Sequence, residues 1–347
     1  MAPAVTEYLS NIAAPMVNQS DLPFRQLVRR YKASLVYTQM LLPDRLLNDH
    51  EYLEFHLREL GDPFDRPVVV QLCGNDPEIV VKAARSVQGS CDAIDLNLGC
   101  PQDAARDGHY GAYLLGRKDW PLVEGIVSAM SRSLTVPVST KIRLCQPAAA
   151  TIEFAQRLEG AGASWVTLHA RHVSARRRRQ GAADLEQVKK LKEGLTIPVV
   201  SNGNVRIWED VETNRAYTGA DGIMVGETLL ANPCLFANVV PDPVKISLEY
   251  LDLCRALPST VILQTMQTHV RHFVDHQCGR RPWFNKFRTA LNRCQSVDDI
   301  ERLLRVKVQR WRGVAPFPGD DLEADGLHEV GQPESMDEVL SAISLVR

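Results

Sequence analysis

From residue 11 onward the chain repeats one pattern. A short run of aliphatic and β-branched residues is followed by a longer segment whose apolar positions recur every three or four residues. The runs that predict strands are Asn11–Ala14, Leu35–Thr38, Pro67–Leu72, Cys91–Asn97, Val136–Ile142, Trp165–His169, Ile197–Ser201 and Gly222–Val225. Helical periodicity covers Asp21–Tyr31, Pro77–Gln88, Trp120–Ser133, Ala149–Ala161, Ala183–Glu193 and Ile207–Tyr217, while the connection after Leu35–Thr38 is less regular. Strands that alternate with helices in this way predict an α/β fold, a (β/α)8 TIM barrel over residues 1–240, with a doubly wound open sheet as the alternative. No Gly-x-Gly-x-x-Gly follows the first strand, which weakens the open dinucleotide-binding sheet.

One strand end stands out. Cys91 to Asn97 alternates apolar and polar residues; Gly99 then permits a tight backbone and Pro101 stops the strand, so Cys100 falls on a stiff turn at its C-terminal tip. Gly108-His109-Tyr110-Gly111-Ala112, a flexible segment carrying an aromatic ring, is placed to close over that tip. The bland alternative is that Cys100 is a small buried hydrophobe, as most free cysteines are.

The other strand ends change that balance. In order they carry Pro15-Met16-Val17, Gln39-Met40, Gln71, Asn97 with Cys100, Lys141 with Arg143, His169 with Arg171, Asn202-Gly203-Asn204 and Gly226-Glu227. Barrel enzymes build their sites from the loops after the strands, so these residues describe one polar pocket. Flavin chemistry suits it. The last two ends lie where barrels hold a phosphate on backbone N–H groups, Lys141 can steady an anionic reduced ring, and Gln71 can read an imide edge. The alternative for Lys141 is an inward cap paired with a carboxylate such as Asp95.

Composition narrows the class. The eight cysteines include no Cys-x-x-Cys pair, which argues against zinc ribbons and a disulfide framework and suits a reducing compartment. With no secretory leader and no membrane-length apolar run, the expectation is a soluble intracellular protein, cytoplasmic or nuclear, without a metal or a membrane partner. The formal net charge of -2 hides an asymmetry: Lys245 to Gly313 holds 13 Lys/Arg against 6 Asp/Glu, whereas Val314 to Arg347 holds 8 Asp/Glu against one arginine. A basic block over 241–313, with Trp283, Phe284, Phe287 and Trp311 among its cations, suits a helical domain that meets RNA. An acidic, disordered tail is expected over 314–347.

These stretches together resemble the tRNA-dihydrouridine synthase family. The resemblance is carried by Ala14-Pro15-Met16-Val17-Asn18-Gln19-Ser20 with Phe24-Arg25, Pro67 to Gln71, Asp95 to Gln102, Gly108 to Ala112, Lys141-Ile142-Arg143, Thr167 to Arg171, Asn202-Gly203-Asn204 and Gly222 to Gly226. It runs from about residue 9 to 237, weakens over 245–313 and is absent from the tail. It implies an FMN barrel, fed by NADPH, that reduces the C5–C6 bond of specific tRNA uridines, hydride going to C6 and a proton from Cys100 to C5. Carried over, the FMN positions are Pro15, Met16, Val17, Gln71, Lys141, His169, Asn202, Gly203, Asn204, Gly226 and Glu227. Asn97 falls on the base pocket, with Arg143 and Arg171 as further substrate contacts, and the expected state is a monomer. The motifs look most like the eukaryotic branch acting on uridines 16 and 17 of the D-loop, with the 20a/20b branch as the alternative. Two other readings are an FMN barrel acting on a small dihydropyrimidine and a tRNA-binding protein without chemistry.

Three departures from the pattern are Ala170-Arg171-His172, the run Arg176 to Arg179, and Glu227 where many relatives carry arginine. A carboxylate near a phosphate is repulsive, so Glu227 is expected to offer its backbone N–H and turn its side chain away.

Overall fold

The computed structural model describes residues 4–174 and 181–315. The Arg176–Arg179 run and nearly all of the acidic tail lie outside the described residues.

Eight parallel strands close into a barrel in chain order: β1 (Asn11–Ala13), β2 (Leu35–Leu41), β3 (Val68–Leu72), β4 (Ala93–Leu98), β5 (Val138–Arg143), β6 (Trp165–His169), β7 (Val199–Asn202) and β8 (Gly222–Val225). The open sheet is excluded, because β1 pairs with β8. Around the barrel run α1 (Leu22–Arg30), α2 (Pro43–Asn48), α3 (His50–Leu60), α4 (Pro77–Val87), α5 (Asp103–Asp107), α6 (Trp120–Ser133), α7 (Ala150–Gly160), α8 (Leu185–Gly194), α9 (Trp208–Thr218) and α10 (Glu227–Ala231). The chain continues with α11 (Pro243–Ala256), α12 (Leu263–Cys278), α13 (Phe284–Asn292), α14 (Val297–Arg302), a π-helical stretch Leu303–Val308, and α15 (Gln309–Arg312).

The helices start where local chemistry says they should. Asp21, Asp76 and Asp242 each accept backbone N–H groups of the first turn, and each is followed within two residues by a proline that has no N–H to orphan. The less regular connection after the second strand resolves into two helices, α2 and α3. The second strand itself runs on to Leu41, with a register shift between Tyr37 and Met40 that spaces Gln39 and Met40 around the barrel mouth.

Parallel strands are buried on both faces, and here the two faces build different cores. Outward-facing Ile94, Leu96 and Leu98 belong to the large core between sheet and helices. Inside the barrel a smaller cluster, including Ile12, Leu35, Tyr37, Val69, Ala93, Trp165, Val200 and Met224, plugs the lower half. The Trp165 indole N–H donates to the Tyr37 hydroxyl at 3.2 Å, so the two large polar-tipped residues in that plug satisfy each other.

The C-terminal helices are seated on α1. His269 on α12, fully buried, contacts Asp21 with Nε2 at 2.7 Å and stacks on Phe24, while the Tyr250 hydroxyl donates to the same carboxylate at 3.1 Å. Burial pushes the Asp21 carboxyl up, but His269, the Phe24 N–H and Tyr250 outweigh it and hold it below the ordinary aspartate value. Among the described residues no helix is long and apolar enough to cross a membrane.

Candidate active site

Strand register assembles the site. Gln71 pairs with Asp95, Asp95 with Ser139, Asn97 with Lys141, Arg143 with His169, and His169 with Asn202. Side chains alternate along a strand, so the residues flanking the outward-facing Leu96, namely Asp95 and Asn97, both face the barrel interior. Above the apolar plug the barrel therefore carries a polar upper storey, drawn from neighbouring strands.

That storey is tied together atom by atom. Ser139 Oγ donates to Asp95 Oδ1 at 2.6 Å, and Gln71 Nε2 donates to Asp95 Oδ2 at 2.8 Å. Asn97 Nδ2 donates to Gln71 Oε1 at 2.8 Å, and Asn97 Oδ1 accepts the N–H groups of Gly99 and Cys100 at 3.0 and 2.8 Å. Both ends of the Gln71 amide are thus already engaged within the protein. Lys141 and the Asp95 carboxylate attract each other through space.

The Cys100 turn is gripped from its other sides too. Arg143 Nε donates to the Gly99 carbonyl at 2.8 Å, and the Ala112 N–H donates to the Cys100 carbonyl at 3.1 Å. Gly111 sits at φ 64° with its missing Cβ only 2.9 Å from the Cys100 oxygen, so no larger residue fits there. The segment Gly108–Ala112 is packed against the tip, with His109 Nε2 3.1 Å from Asp119. Of the eight cysteines only Cys100 is not buried, which removes the reading of it as a core hydrophobe.

The electrostatics favour anions. Desolvation, reinforced by Arg143 and opposed by Asp95 and Cys100, lowers Lys141 to about 8. Desolvation and Arg171 lower Arg143 to about 10. Desolvation, with Lys141, Arg143 and Arg171 adding to it, holds His169 well below the ordinary imidazole value, so at neutral pH the ring is an uncharged donor and acceptor. Burial raises Asp95 to about 6, against the pull of Ser139, Gln71 and Lys141.

The loops after β7 and β8 complete the wall. Asn202 Nδ2 donates to the Met224 carbonyl, and Asn204 closes on Ala183 with both ends of its amide, at 2.7 Å each. Their side chains serve the loop, which leaves the backbone to serve a ligand. Gly203, at φ 126°, would set a Cβ 2.7 Å from Ala183, whereas a Cβ on Gly226 would make only ordinary contact with Ala14 and Met16.

One cavity of about 350 Å³ opens at this end of the barrel. It is lined by Pro15, Met16, Val17, Met40, Gln71, Asn97, Cys100, Lys141, Arg143, His169, Arg171, Asn202, Gly203, Asn204, Gly226 and Glu227, so of the strand-end residues expected from sequence only Gln39 is not on its wall. Glu227 is exposed there, and its charge raises the pKa of Arg143, so the carboxylate sits within reach of the pocket's cations. Sequence reasoning missed Gln19, Gln102 and Thr228 as lining residues. Gln19 and Gln102 lie inside the quoted motifs, and Gln19 Oε1 is buried without a partner. Among the described residues no group of three or more His, Cys, Asp or Glu is placed to hold a metal ion.

Comparison with known proteins decides the family. A profile described as Dihydrouridine synthase (Dus) matches residues 12–311. The chain belongs to the dihydrouridine synthase family. The match extends through the C-terminal helices, farther than the motifs alone reach. A Mus musculus protein named tRNA-dihydrouridine(16/17) synthase [NAD(P)(+)]-like is 36% identical over 328 residues, covering 93% of this chain and 67% of its own. The Saccharomyces cerevisiae tRNA-dihydrouridine(16/17) synthase [NAD(P)(+)] is 36% identical over 288 residues, covering 78% of this chain and 68% of its own. The Homo sapiens tRNA-dihydrouridine(20a/20b) synthase [NAD(P)+]-like is 34% identical over 252 residues, covering 72% of this chain and 77% of its own. The barrel fold also recurs in a 2-naphthoyl-CoA reductase complex, at TM-score 0.52 and 13% identity over 65% of this chain and 48% of that one. The crystal structure of TcOYE with pHBA gives TM-score 0.51 and 10% identity over 74% and 91% of the two chains.

Proposed function

We propose that this protein reduces uridines 16 and 17 of the tRNA D-loop to 5,6-dihydrouridine, with FMN held in the cavity and NADPH as electron donor. The observation that carries this reading is the placement of Cys100. The only cysteine that is not buried stands on a turn held from three sides, at the rim of a cavity that also holds Lys141, Arg143 and a neutral His169.

The donor set fits the cofactor. Lys141 and Arg143 supply positive charge where an electron-rich ring needs it, and the tight glycine backbone at Gly203 suits a phosphate. Bound there, FMN would supply the hydride that goes to uracil C6. Cys100 holds the proton for C5, as a thiol positioned beside the reacting bond can serve as general acid. Asn97, Arg143 and Arg171 line the space beside it and orient the base.

Exposed Arg280, Arg281, Lys286, Arg288 and Arg293 on and around α13 supply a surface for tRNA phosphates. The 16/17 assignment rests on the Mus musculus and Saccharomyces cerevisiae relatives so named, which cover 93% and 78% of the chain at 36% identity, against 72% at 34% for the Homo sapiens 20a/20b relative. The test is incubation of the flavin-loaded protein with unmodified tRNA and NADPH, followed by position-by-position mapping of dihydrouridine. Product at 16 and 17 is expected. Product at 20a or 20b would move the protein to the other branch, and no product would overturn the reading.

A further inference from the structure

The geometry points to Asp95 as a positioning residue: its carboxylate sets the direction of a chain of side-chain amides that ends on the backbone of the Cys100 turn. Asp95 is fully buried beneath the cavity and lines none of it. Its reach upward runs through Gln71 and Asn97 to the N–H groups of Gly99 and Cys100.

The direction of that chain is forced from both ends. An ionised carboxylate only accepts, so Gln71 must turn its NH2 down toward Asp95 and its oxygen toward Asn97. A backbone N–H only donates, so Asn97 must turn its oxygen toward the Cys100 turn and its NH2 toward Gln71. Reversing either amide would set oxygen against oxygen, or N–H against N–H, in a buried place where unmade hydrogen bonds are costly. Ser139 fills the second carboxylate oxygen and keeps Asp95 from rotating away. Without an acceptor at position 95 the lower end loses its constraint. Gln71 can then swing, Asn97 loses its partner, and the N–H of Cys100 loses a fixed acceptor. Displacements of about 1 Å at a reacting group can cost roughly 100-fold in rate.

The kinetic part of the test rests on the proposed reaction, but a second readout does not. Asp95→Asn keeps a carbonyl oxygen for Gln71 and offers an NH2 to the Ser139 oxygen, so it preserves direction while removing charge. Asp95→Leu keeps bulk and removes both. On unmodified tRNA, Asp95→Leu should lower kcat by about 10- to 100-fold with KM for tRNA unchanged, while Asp95→Asn stays near wild type. Alkylation by iodoacetamide at fixed pH reports Cys100 directly, since the other cysteines are buried and Cys100→Ala supplies the background. The alkylation rate should change in Asp95→Leu and be restored in Asp95→Asn. Should Asp95→Leu not fold, Gln71→Met cuts the same chain one link higher and should shift alkylation in the same way. Wild-type kcat and alkylation in the cut variants would overturn the role. So would an Asp95→Asn as impaired as Asp95→Leu, which would make charge toward Lys141 the operative effect. A wild-type protein that forms no dihydrouridine overturns the function and leaves the alkylation test standing.

Discussion

The cavity and the basic face of the C-terminal helices are both rich in cations, and they hold them in opposite ways. In the cavity Arg143 is buried and spends its donors on the Gly99 and His172 carbonyls, while Lys141 is desolvated to the point of titrating near 8. On the helices Arg280, Arg281, Arg288 and Arg293 are exposed and have no ion-pair partner among the described residues; Lys286 only rests over the Trp311 ring. Chemistry on one bond needs groups placed to a fraction of an ångström before the substrate arrives. Binding a polyanion needs charge density, and water-solvated side chains provide it without a fixed pose. Changes in the first region should therefore act on rate, and changes in the second on affinity and its salt dependence.

The largest expected break is Cys100→Ala. Removing a general acid should slow product formation by about 10²–10⁴-fold, with flavin content and tRNA affinity preserved. Turnover at the wild-type rate at saturating tRNA would take Cys100 out of the mechanism.

Next comes Lys141→Met, which removes a half-buried cation from the cavity wall. A loss of about 10²–10³-fold in kcat is expected, by analogy with deleting one preorganised donor. Its pH signature is separable. Lys141 is charged below about 8 and neutral above it, so activity that depends on the cation falls as pH rises through that value. The limb should persist in Cys100→Ala and vanish in Lys141→Met. A limb that survives in Lys141→Met belongs to another group.

The same contrast explains what was legible beforehand. The eight strands could be read because short β-branched and apolar runs recur between helical segments, and the site residues because each stood at the end of one. Pro43–Leu60 was opaque: two short helices broken at Asp49 leave too little periodicity to find. The extension of β2 past Thr38 depends on a bulge that shows only in its pairing with β3. Asp95 was visible as a residue but not as a link, because its partners Gln71 and Ser139 lie 24 and 44 positions away and meet it only through register. The C-terminal helices were legible as charge and little else. His269 gives no sign in the sequence that it will end up buried between Asp21 and Phe24.

The smallest effect per residue is expected on that basic face. Replacing Arg280, Arg281, Lys286 and Arg288 together by alanine removes four exposed cations from one short stretch of chain. Each that meets a phosphate should lower the slope of log affinity against log salt by roughly 0.7–0.9, a loss of about 3 if all four do. The loss should be similar for different tRNA sequences, because phosphate contacts carry no sequence information. kcat at saturating tRNA should stay near wild type, since none of the four lines the cavity. Stability should change little as well, because exposed charges without partners contribute little to folding. Binding to unmodified tRNA measured across a salt series decides the matter. An unchanged slope would mean that these cations are solvated and that tRNA docks elsewhere. A loss of kcat with the slope intact would mean that the two regions are not separable, and that the helices act by shaping the cavity rather than by holding RNA.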